Sequence, residues 1–177
     1  MTGKGSLNHN SRKFHAKNTD PNRTHWNVEY CNEDIKDVYH ELFDEALKRY
    51  NDKQTRKDRK IDDYYEKIRS GKQEKLFHEV IIQIGDKDNM GSETMEGQLA
   101  AKILDEYMKG FQERNPTLRV FAAHLHLDEA TPHLHIDFIP YVTGSKRGLD
   151  TRVSLKQALS SLGFKGGSRS ETELNQW

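Results

Sequence analysis

Cysteine, apolar residues and long apolar runs are all scarce in this sequence of 177 residues. Its one cysteine, Cys31, excludes an intramolecular disulfide and a cysteine-based zinc site. The sequence has no apolar run long enough to span a membrane, and its N-terminus lacks the core of a signal peptide. Apolar residues make up 33% and charged residues 32% of the chain, a balance typical of a thin core under long solvated helices. We therefore expect one domain in a reducing cytoplasm.

A net charge is also lacking, because 28 basic and 28 acidic residues cancel. Overall charge therefore does not indicate a nucleic-acid partner. The basic residues are unevenly spread, however: residues 48–60 hold seven against two acids, and residues 145–169 hold six against one. Each stretch is either a solvated face or a surface that neutralises DNA phosphates. The candidate DNA contacts are Lys48, Arg49, Arg56, Lys57, Lys146, Arg147 and Arg152.

The periodicity of apolar residues predicts an α+β fold with a central antiparallel sheet and helices packed on it. Residues 1–30 are polar and are predicted to form loops and short turns. Helices are predicted over about 32–51, 57–69, 92–114 and 154–162, with Asn32 and Ser154 as caps. Strands are predicted over 76–84, 118–127 and 133–140. The short link 128–132 should join the last two strands into a hairpin.

Four histidines lie on this predicted hairpin. Side chains two residues apart share a strand face, so His124 and His126 point together, as do His133 and His135. Packing four imidazoles would leave several ring nitrogens without partners, so the spacing favours a divalent-metal site. His126, His133 and His135 are the best set of ligands. His124 is a fourth ligand, a supporting residue or a neighbour of the DNA.

Three segments resemble the motifs of MobV-type relaxases, the Pre/Mob plasmid mobilisation and recombination proteins. These belong to the wider class of endonucleases with a His-hydrophobe-His (HUH) pair. The third motif of the family resembles residues 126–135, His-Leu-Asp-Glu-Ala-Thr-Pro-His-Leu-His. The first, a His-x-x-Arg element, resembles residues 8–12, and the second resembles residues 22–30. Three ordered motifs are more specific than one, and the similarity spans residues 9 to about 169.

The resemblance implies a metal-dependent, sequence-specific endonuclease and strand transferase. It would nick one DNA strand at an origin of transfer and stay linked to the 5′ phosphate during conjugative mobilisation. His9 would be the nucleophile, accompanied by Arg12, and Glu129 would activate or orient it. Arg12 or Arg23 would clamp a phosphate through two parallel hydrogen bonds. His126, His133 and His135 would hold Mn²⁺ or Mg²⁺, and the supporting residues would be His124, Asp128, Arg23, His25 and Asn27.

Single-stranded or supercoiled origin DNA and a conjugative coupling protein are the partners that the resemblance implies, in the cytoplasm of a bacterium. In the family a first strand precedes the first motif, and a C-terminal region serves dimerisation. Neither is evident here, so we expect residues 1–177 to be one relaxase domain that lacks both. Val28 stands where the family often has an aromatic residue.

Other interpretations stay open at this stage. Tyr30 is the rival nucleophile nearest to the motifs. A rolling-circle replication initiator would share the His-hydrophobe-His pair, but not all three motifs. A non-catalytic DNA-binding module would close a structural metal site with His124 as the fourth ligand. A general metallohydrolase would leave the N-terminal motifs unexplained.

Overall fold

The computed structural model describes residues 2–3, 6–167 and 170–177. Arg169, the last basic residue of the second predicted patch, lies outside them. Short 3-10 helices cover Thr24–Trp26 and Lys57–Arg59. The other described elements follow in chain order: β1 Thr2–Gly3, α1 Leu7–Asn10, β2 Val28–Asn32, α2 Ile35–Asp52, α3 Tyr64–Ser70, β3 His78–Gln83, α4 Met95–Lys109, α5 Phe111–Arg114, β4 Leu118–His126, β5 His133–Val142, β6 Arg152–Val153, α6 Leu155–Ser161 and α7 Glu173–Gln176.

The chain divides into two compact units. Unit 1 comprises Met1–Asn32, His78–Arg114 and Val120–Phe138. Unit 2 comprises Glu33–Phe77, Asn115–Arg119 and Ile139–Trp177. The single domain expected from the sequence stays a prediction.

Unit 1 is built on a sheet whose strand order is β1-β3-β5-β4-β2. The pairs β1–β3, β3–β5 and β2–β4 are antiparallel, which confirms the predicted α+β class with an antiparallel sheet. Glu79 lies opposite Asp137 in the register of β3 and β5, and Ile81 lies opposite His135. Because strand side chains alternate, Glu79, His135 and Asp137 share one face.

The opposite face of this sheet is apolar and forms the core of unit 1. Leu134, Ile136 and Phe138 of β5 are fully buried, as is Phe121 of β4. Helix α4 begins where the Thr94 side chain accepts a hydrogen bond from the Gly97 N–H. Its core-facing side chains lie at four-residue steps and are Ala100, Leu104 and Met108. The predicted helix over 92–114 is therefore two helices, which Gly110 separates.

Unit 2 packs α2 and α3 around aromatic side chains. The Asp34 carboxylate caps α2 by accepting from the Lys36 N–H. Tyr39 and Phe43 of α2 contact Tyr64 of α3, with ring centroids 6.4 and 5.0 Å away. The Tyr64 hydroxyl accepts from the Val153 N–H of β6, which itself pairs with the end of β5. Ser154 caps α6 as predicted.

Several local predictions are wrong. Asn32 is the last residue of β2 rather than a helix cap. Helix α2 begins three residues later at Ile35, and Asp34 is its cap. Residues 57–69 form a 3-10 turn followed by α3, which the Asp63 side chain caps. In the polar stretch 1–30, where loops and short turns were predicted, strand β1 and the start of β2 also form. These elements depend on tertiary pairing, which local periodicity does not report.

A strand also lies before the first motif, where none was expected. Thr2 and Gly3 of β1 pair with Val80 and Glu79 of β3. A two-residue strand is too short to produce the alternation that identifies strands in a sequence.

Candidate active site and metal centre

Three histidines meet on the polar face of unit 1. His126 comes from the end of β4, and His133 and His135 come from the start of β5. Their ring centroids lie 4.7 to 5.2 Å apart. All three side chains are buried. We call them the histidine trio.

In each member of the histidine trio, one ring nitrogen donates a hydrogen bond to an oxygen that can only accept. His126 Nε2 donates to the Asn10 main-chain oxygen, His133 Nδ1 to the Thr131 oxygen and His135 Nδ1 to Glu79 Oε1, each at 2.8 Å. In a neutral imidazole the other nitrogen then carries a lone pair. These are His126 Nδ1, His133 Nε2 and His135 Nε2.

The free nitrogens fit a divalent cation. His126 Nδ1 and His135 Nε2 are buried and have no hydrogen-bond partner among the described residues, an arrangement that a bound ion would satisfy. Glu129 Oε1 lies 3.9 Å from both His126 Nδ1 and His133 Nε2. Burial lowers the pKa of His126 to about 2 and also lowers the pKa of His133. Both rings are therefore neutral, which is the form that ligates metal.

His9 lies against this group, although it is more than a hundred residues away in sequence. Its ring centroid is 5.8 Å from that of His126 and 6.2 Å from that of His135. Its Nε2 lies 3.3 Å from Glu129 Oε1 and 3.3 Å from Arg12 Nη1. One nitrogen each of His9, His126 and His135 lie within 4.8 Å of one another. The first and third motifs therefore share one site.

The Arg12 side chain is largely buried just after α1 and is held by carboxylates. Its Nε and Nη2 donate to Asp128 at 2.9 and 2.6 Å, and Nη2 also donates to Glu129 at 2.8 Å. Its Nη1 donates to the His9 main-chain oxygen at 2.9 Å. With all three nitrogens engaged and 8% of the side chain exposed, Arg12 does not fit the predicted role of phosphate clamp. Its bond to the His9 main-chain oxygen holds the turn that carries His9 instead. The backbone of Arg12 itself has a positive φ of 51°.

The second motif holds the link between β4 and β5. Asn27 Oδ1 accepts from the Leu127 and Asp128 N–H groups, and Arg23 Nη1 donates to the Leu127 oxygen. Thr24 donates to Asp128 Oδ2 at 3.1 Å. Burial would raise the pKa of Asp128, but the hydrogen bonds led by Arg12 lower it to about 2. Asp128 therefore stays ionised and keeps Arg12 in place.

Three predicted or rival residues lie outside this cluster. His124 Nε2 lies 3.2 Å from Glu29 Oε2, and His124 does not belong to either candidate ligand group among the described residues. His25 is exposed beside the Trp26 ring. Tyr30 directs its hydroxyl to Asp105 of α4 at 2.9 Å, where burial and that carboxylate raise its pKa.

Three buried residues at the site were missed by the sequence analysis: Asn10, Glu79 and Asp137. Asn10 Nδ2 donates to Glu79 Oε1 at 2.9 Å and to Asp137 Oδ2 at 3.0 Å. Burial would raise the pKa of Glu79, but hydrogen bonds from His135 and Asn10 lower it. Burial and the neighbouring Glu79 raise the pKa of Asp137 to about 7. Glu79 in β3 and Asp137 in β5 are each the only carboxylate in a largely apolar strand. Such an isolated carboxylate is the sequence feature that could have indicated a buried functional group.

The basic residues predicted to contact DNA lie in unit 2. Lys48, Lys57, Lys146 and Arg147 are exposed. Arg49 is paired with Asp150 at 2.8 Å, and Arg56 is paired with Asp58. Arg152 donates to Ser145 and Gln157. Part of the positive charge is therefore already neutralised by neighbouring carboxylates.

Comparison with known families decides the relationship. The family described as Mob_Pre, plasmid recombination enzyme, matches residues 4–164. This range includes all three motifs and the whole histidine trio. The chain belongs to the Mob_Pre family. The resemblance inferred from the motifs is thereby confirmed at the level of the Mob_Pre family, whose members are described as plasmid recombination enzymes.

Solved structures similar to this Mob_Pre chain include the relaxase domain of MobM (MOBV; Mob_Pre), Mn-bound and with 22-nucleotide oriT DNA of plasmid pMV158, at pH 5.5. It is 28% identical over 85% of this chain and 67% of that chain, with a TM-score of 0.48. A Mn-bound complex of the same domain with 22-nucleotide DNA and a 3′ thiophosphate, at pH 6.8, is 24% identical over 93% and 70% of the two chains, with a TM-score of 0.44.

No curated protein matches the chain. The described part of this Mob_Pre chain also has no helix with the length and apolar character needed to cross a membrane.

Proposed function

We propose that this Mob_Pre protein is a relaxase, a metal-dependent endonuclease and strand transferase that nicks one DNA strand at a specific origin of transfer for conjugative mobilisation. The observation that carries the proposal is the position of His9 beside the three buried imidazoles of the histidine trio. An attacking group and a cation site together are what transfer of a phosphoryl group requires. Membership of a plasmid recombination family gives the substrate class.

The histidine trio would hold a divalent ion, with Glu129 Oε1 nearby at 3.9 Å. A bound divalent ion would withdraw charge from the non-bridging oxygens of the scissile phosphate. Because imidazole is the main donor, Mn²⁺ suits this set better than Mg²⁺, which prefers oxygen ligands. The other groups at the site orient His9 and hold its proton.

Glu129 gives His9 its reactive tautomer. Its Oε1 lies 3.3 Å from His9 Nε2 and would accept a proton on that nitrogen once the contact that Arg12 Nη1 makes with the same nitrogen is broken. The lone pair would then be on Nδ1. A bond forms between Nδ1 and phosphorus as the bond between phosphorus and the 3′ oxygen breaks. The electron pair leaves on that oxygen, which takes a proton from water, and the 5′ phosphate stays on His9. The carboxylate of Glu129 then faces the positively charged ring and stabilises it.

DNA would approach over the exposed loop that follows α1. Phe14 is 50% exposed and its ring lies 6.1 Å from that of His9. Lys13 and Lys17 of this loop are exposed, and Trp26, in the 3-10 helix farther along the chain, is 38% exposed. Exposed aromatic rings among cations suit unpaired bases and their phosphates, so this loop would receive the strand next to the scissile phosphate.

The test is a covalent adduct formed with Mn²⁺ on single-stranded DNA carrying candidate origins. We expect a protein–DNA link at His9 that is labile in acid and stable in alkali, because it is a phosphorus–nitrogen bond. His9→Ala should lose the adduct completely, while the matched control Tyr30→Phe should keep it. An acid-stable adduct that disappears in Tyr30→Phe would assign the attack to tyrosine. Metal binding without any cleavage would leave a non-catalytic module as the function.

A further inference from the structure

Asn10, the residue that follows His9, is only 2% exposed, which is unusual for asparagine. Three hydrogen bonds account for its burial. Its main-chain oxygen accepts from His126 Nε2 at 2.8 Å. Its side-chain Nδ2 donates to Glu79 Oε1 at 2.9 Å and to Asp137 Oδ2 at 3.0 Å. Both amide hydrogens of Asn10 are thereby used.

These bonds reach the histidine trio from two sides. The main-chain bond keeps the His126 proton on Nε2 and so leaves Nδ1 free to ligate. The side-chain bond ends on Glu79 Oε1, the same oxygen that accepts from His135 Nδ1 at 2.8 Å. One residue therefore supports the ligating tautomers of both His126 and His135. Groups behind a ligand that fix its tautomer in this way normally raise metal affinity.

The position of Asn10 also depends on two buried carboxylates. Glu79 and Asp137 lie directly opposite each other in the register of β3 and β5, and they are 4% and 0% exposed. Carboxylates this close repel one another unless a donor lies between them. The Asn10 amide supplies one hydrogen to each. The carboxylate pair holds Asn10, and Asn10 in turn holds the turn that carries His9.

We propose that Asn10 is a positioning residue that couples the placement of His9 to metal binding by the histidine trio. The roles of His9 and of the metal rest on the proposed function. Coupling between two sites is reciprocal. Metal bound to His126 and His135 should therefore stabilise the turn at residues 9–12, and loss of the Asn10 side chain should weaken metal binding.

The experiment uses the full chain without DNA, titrated with Mn²⁺ and followed by calorimetry and by hydrogen exchange. In the wild type, Mn²⁺ should slow exchange of the amides at residues 9–12, which are hydrogen-bonded within the turn. Asn10→Ala should bind Mn²⁺ at least about tenfold more weakly and lose this protection. The control is Asn8→Ala, an exposed asparagine on the same turn, which should behave as the wild type.

A second pair of variants tests the same coupling in case Asn10→Ala does not fold. It exchanges the amide of Asn10 with the carboxylate of Asp137, so the total charge of the cluster stays the same. Asn10→Asp alone places three carboxylates together and should lose Mn²⁺ affinity. Adding Asp137→Asn returns one amide and two carboxylates to the cluster, and should restore both affinity and protection. Wild-type affinity and protection in a folded Asn10→Ala, or no recovery in the exchanged pair, would overturn the coupling.

The same readouts separate this proposal from the proposed function. A chain that shows Asn10-dependent metal binding but never cleaves DNA would remove the nuclease and leave the coupling. A chain that cleaves DNA through His9, but binds Mn²⁺ equally well with and without the Asn10 side chain, would support the nuclease and remove the coupling.

Discussion

Two arginine–aspartate pairs in this protein have nearly the same geometry and very different surroundings. In unit 1, Arg12 Nε and Nη2 bind Asp128 at 2.9 and 2.6 Å. In unit 2, Arg49 Nε and Nη2 bind Asp150 at 2.8 and 2.9 Å. The unit 1 side chains are 8% and 0% exposed, and those of unit 2 are 49% and 39% exposed.

This difference in burial decides what each pair does. Water competes for an exposed pair and screens it, so its net contribution is small. A buried pair is different, because removing one member strands the other charge away from water. Arg12 and Asp128 also adjoin His9 and Glu129, so the same loss would disturb the proposed active site. Loss of Asp128 and exposure to acid should therefore both affect the buried pair, whereas the same substitution at Asp150 in unit 2 should have little effect.

The largest effect is expected from Asp128→Asn. The free energy of unfolding should fall by about 3 kcal/mol, near the lower end for breaking a buried pair, because Glu129 still contacts Arg12. Chemical unfolding followed by circular dichroism would measure it. DNA nicking should fall as well, since Arg12 would no longer be fixed against the His9 main-chain oxygen. Wild-type stability would contradict the assignment of this pair as a structural support of the site.

Lowering the pH should weaken the Arg12–Asp128 pair in the wild type, because it protonates Asp128. Because the folded pKa of Asp128 is lowered from 3.8 to about 2, its contribution is present above pH 4 and is lost as the pH falls toward 2. Stability should therefore decline over that window in the wild type. In Asp128→Asn the decline should be smaller. Unfolding midpoints measured from pH 5 to 2 would test this, and identical slopes for the two proteins would refute it.

A moderate effect is expected at the basic loop of unit 2. Lys146 and Arg147 are exposed, and replacing both with glutamine should weaken binding of single-stranded DNA without changing the unfolding midpoint. If each contacts one phosphate, the slope of log affinity against log salt should decrease by about 0.7 per residue. Fluorescence anisotropy from low to moderate salt would measure the slope. An unchanged slope would remove this loop from the DNA interface.

The smallest effect is expected from Asp150→Asn, the counterpart of the first change. The pair with Arg49 is exposed, so the unfolding midpoint should stay within experimental error of the wild type. Nicking should also be unchanged. A loss of stability comparable with that of Asp128→Asn would show that burial does not explain the contrast.

Local signals were enough to predict part of the site. The spacing of His126, His133 and His135 follows from strand alternation, and the link between β4 and β5 is short. The cap at Ser154 likewise follows from residues adjacent in sequence. The three motifs carried the family membership, and with it the pairing of His9 with a group more than a hundred residues away.

The rest depends on which strands become neighbours. Asn10 reaches Glu79 and Asp137 across 69 and 127 residues, and no local pattern encodes that contact. The burial of the Arg12 side chain could not be predicted for the same reason. Its partner Asp128 is 116 residues away in sequence, so the sequence alone suggests an arginine that is free to bind phosphate. Likewise, Thr2–Gly3 becomes a strand only because β3 offers it an edge.

The left-handed backbone at Arg12, with φ of 51°, has an energetic consequence. A residue other than glycine in this region stores about 1–3 kcal/mol of strain. Here the ion pairs to Asp128 and Glu129 offset that strain, so the turn carrying His9 is under tension while they persist. If these ion pairs break, nothing offsets the strain, and the Arg12 backbone can relax to a different conformation that moves the turn. Arg12→Gly would remove both the tension and the restraint, so the proposed nucleophile would be free to move but no longer held in position.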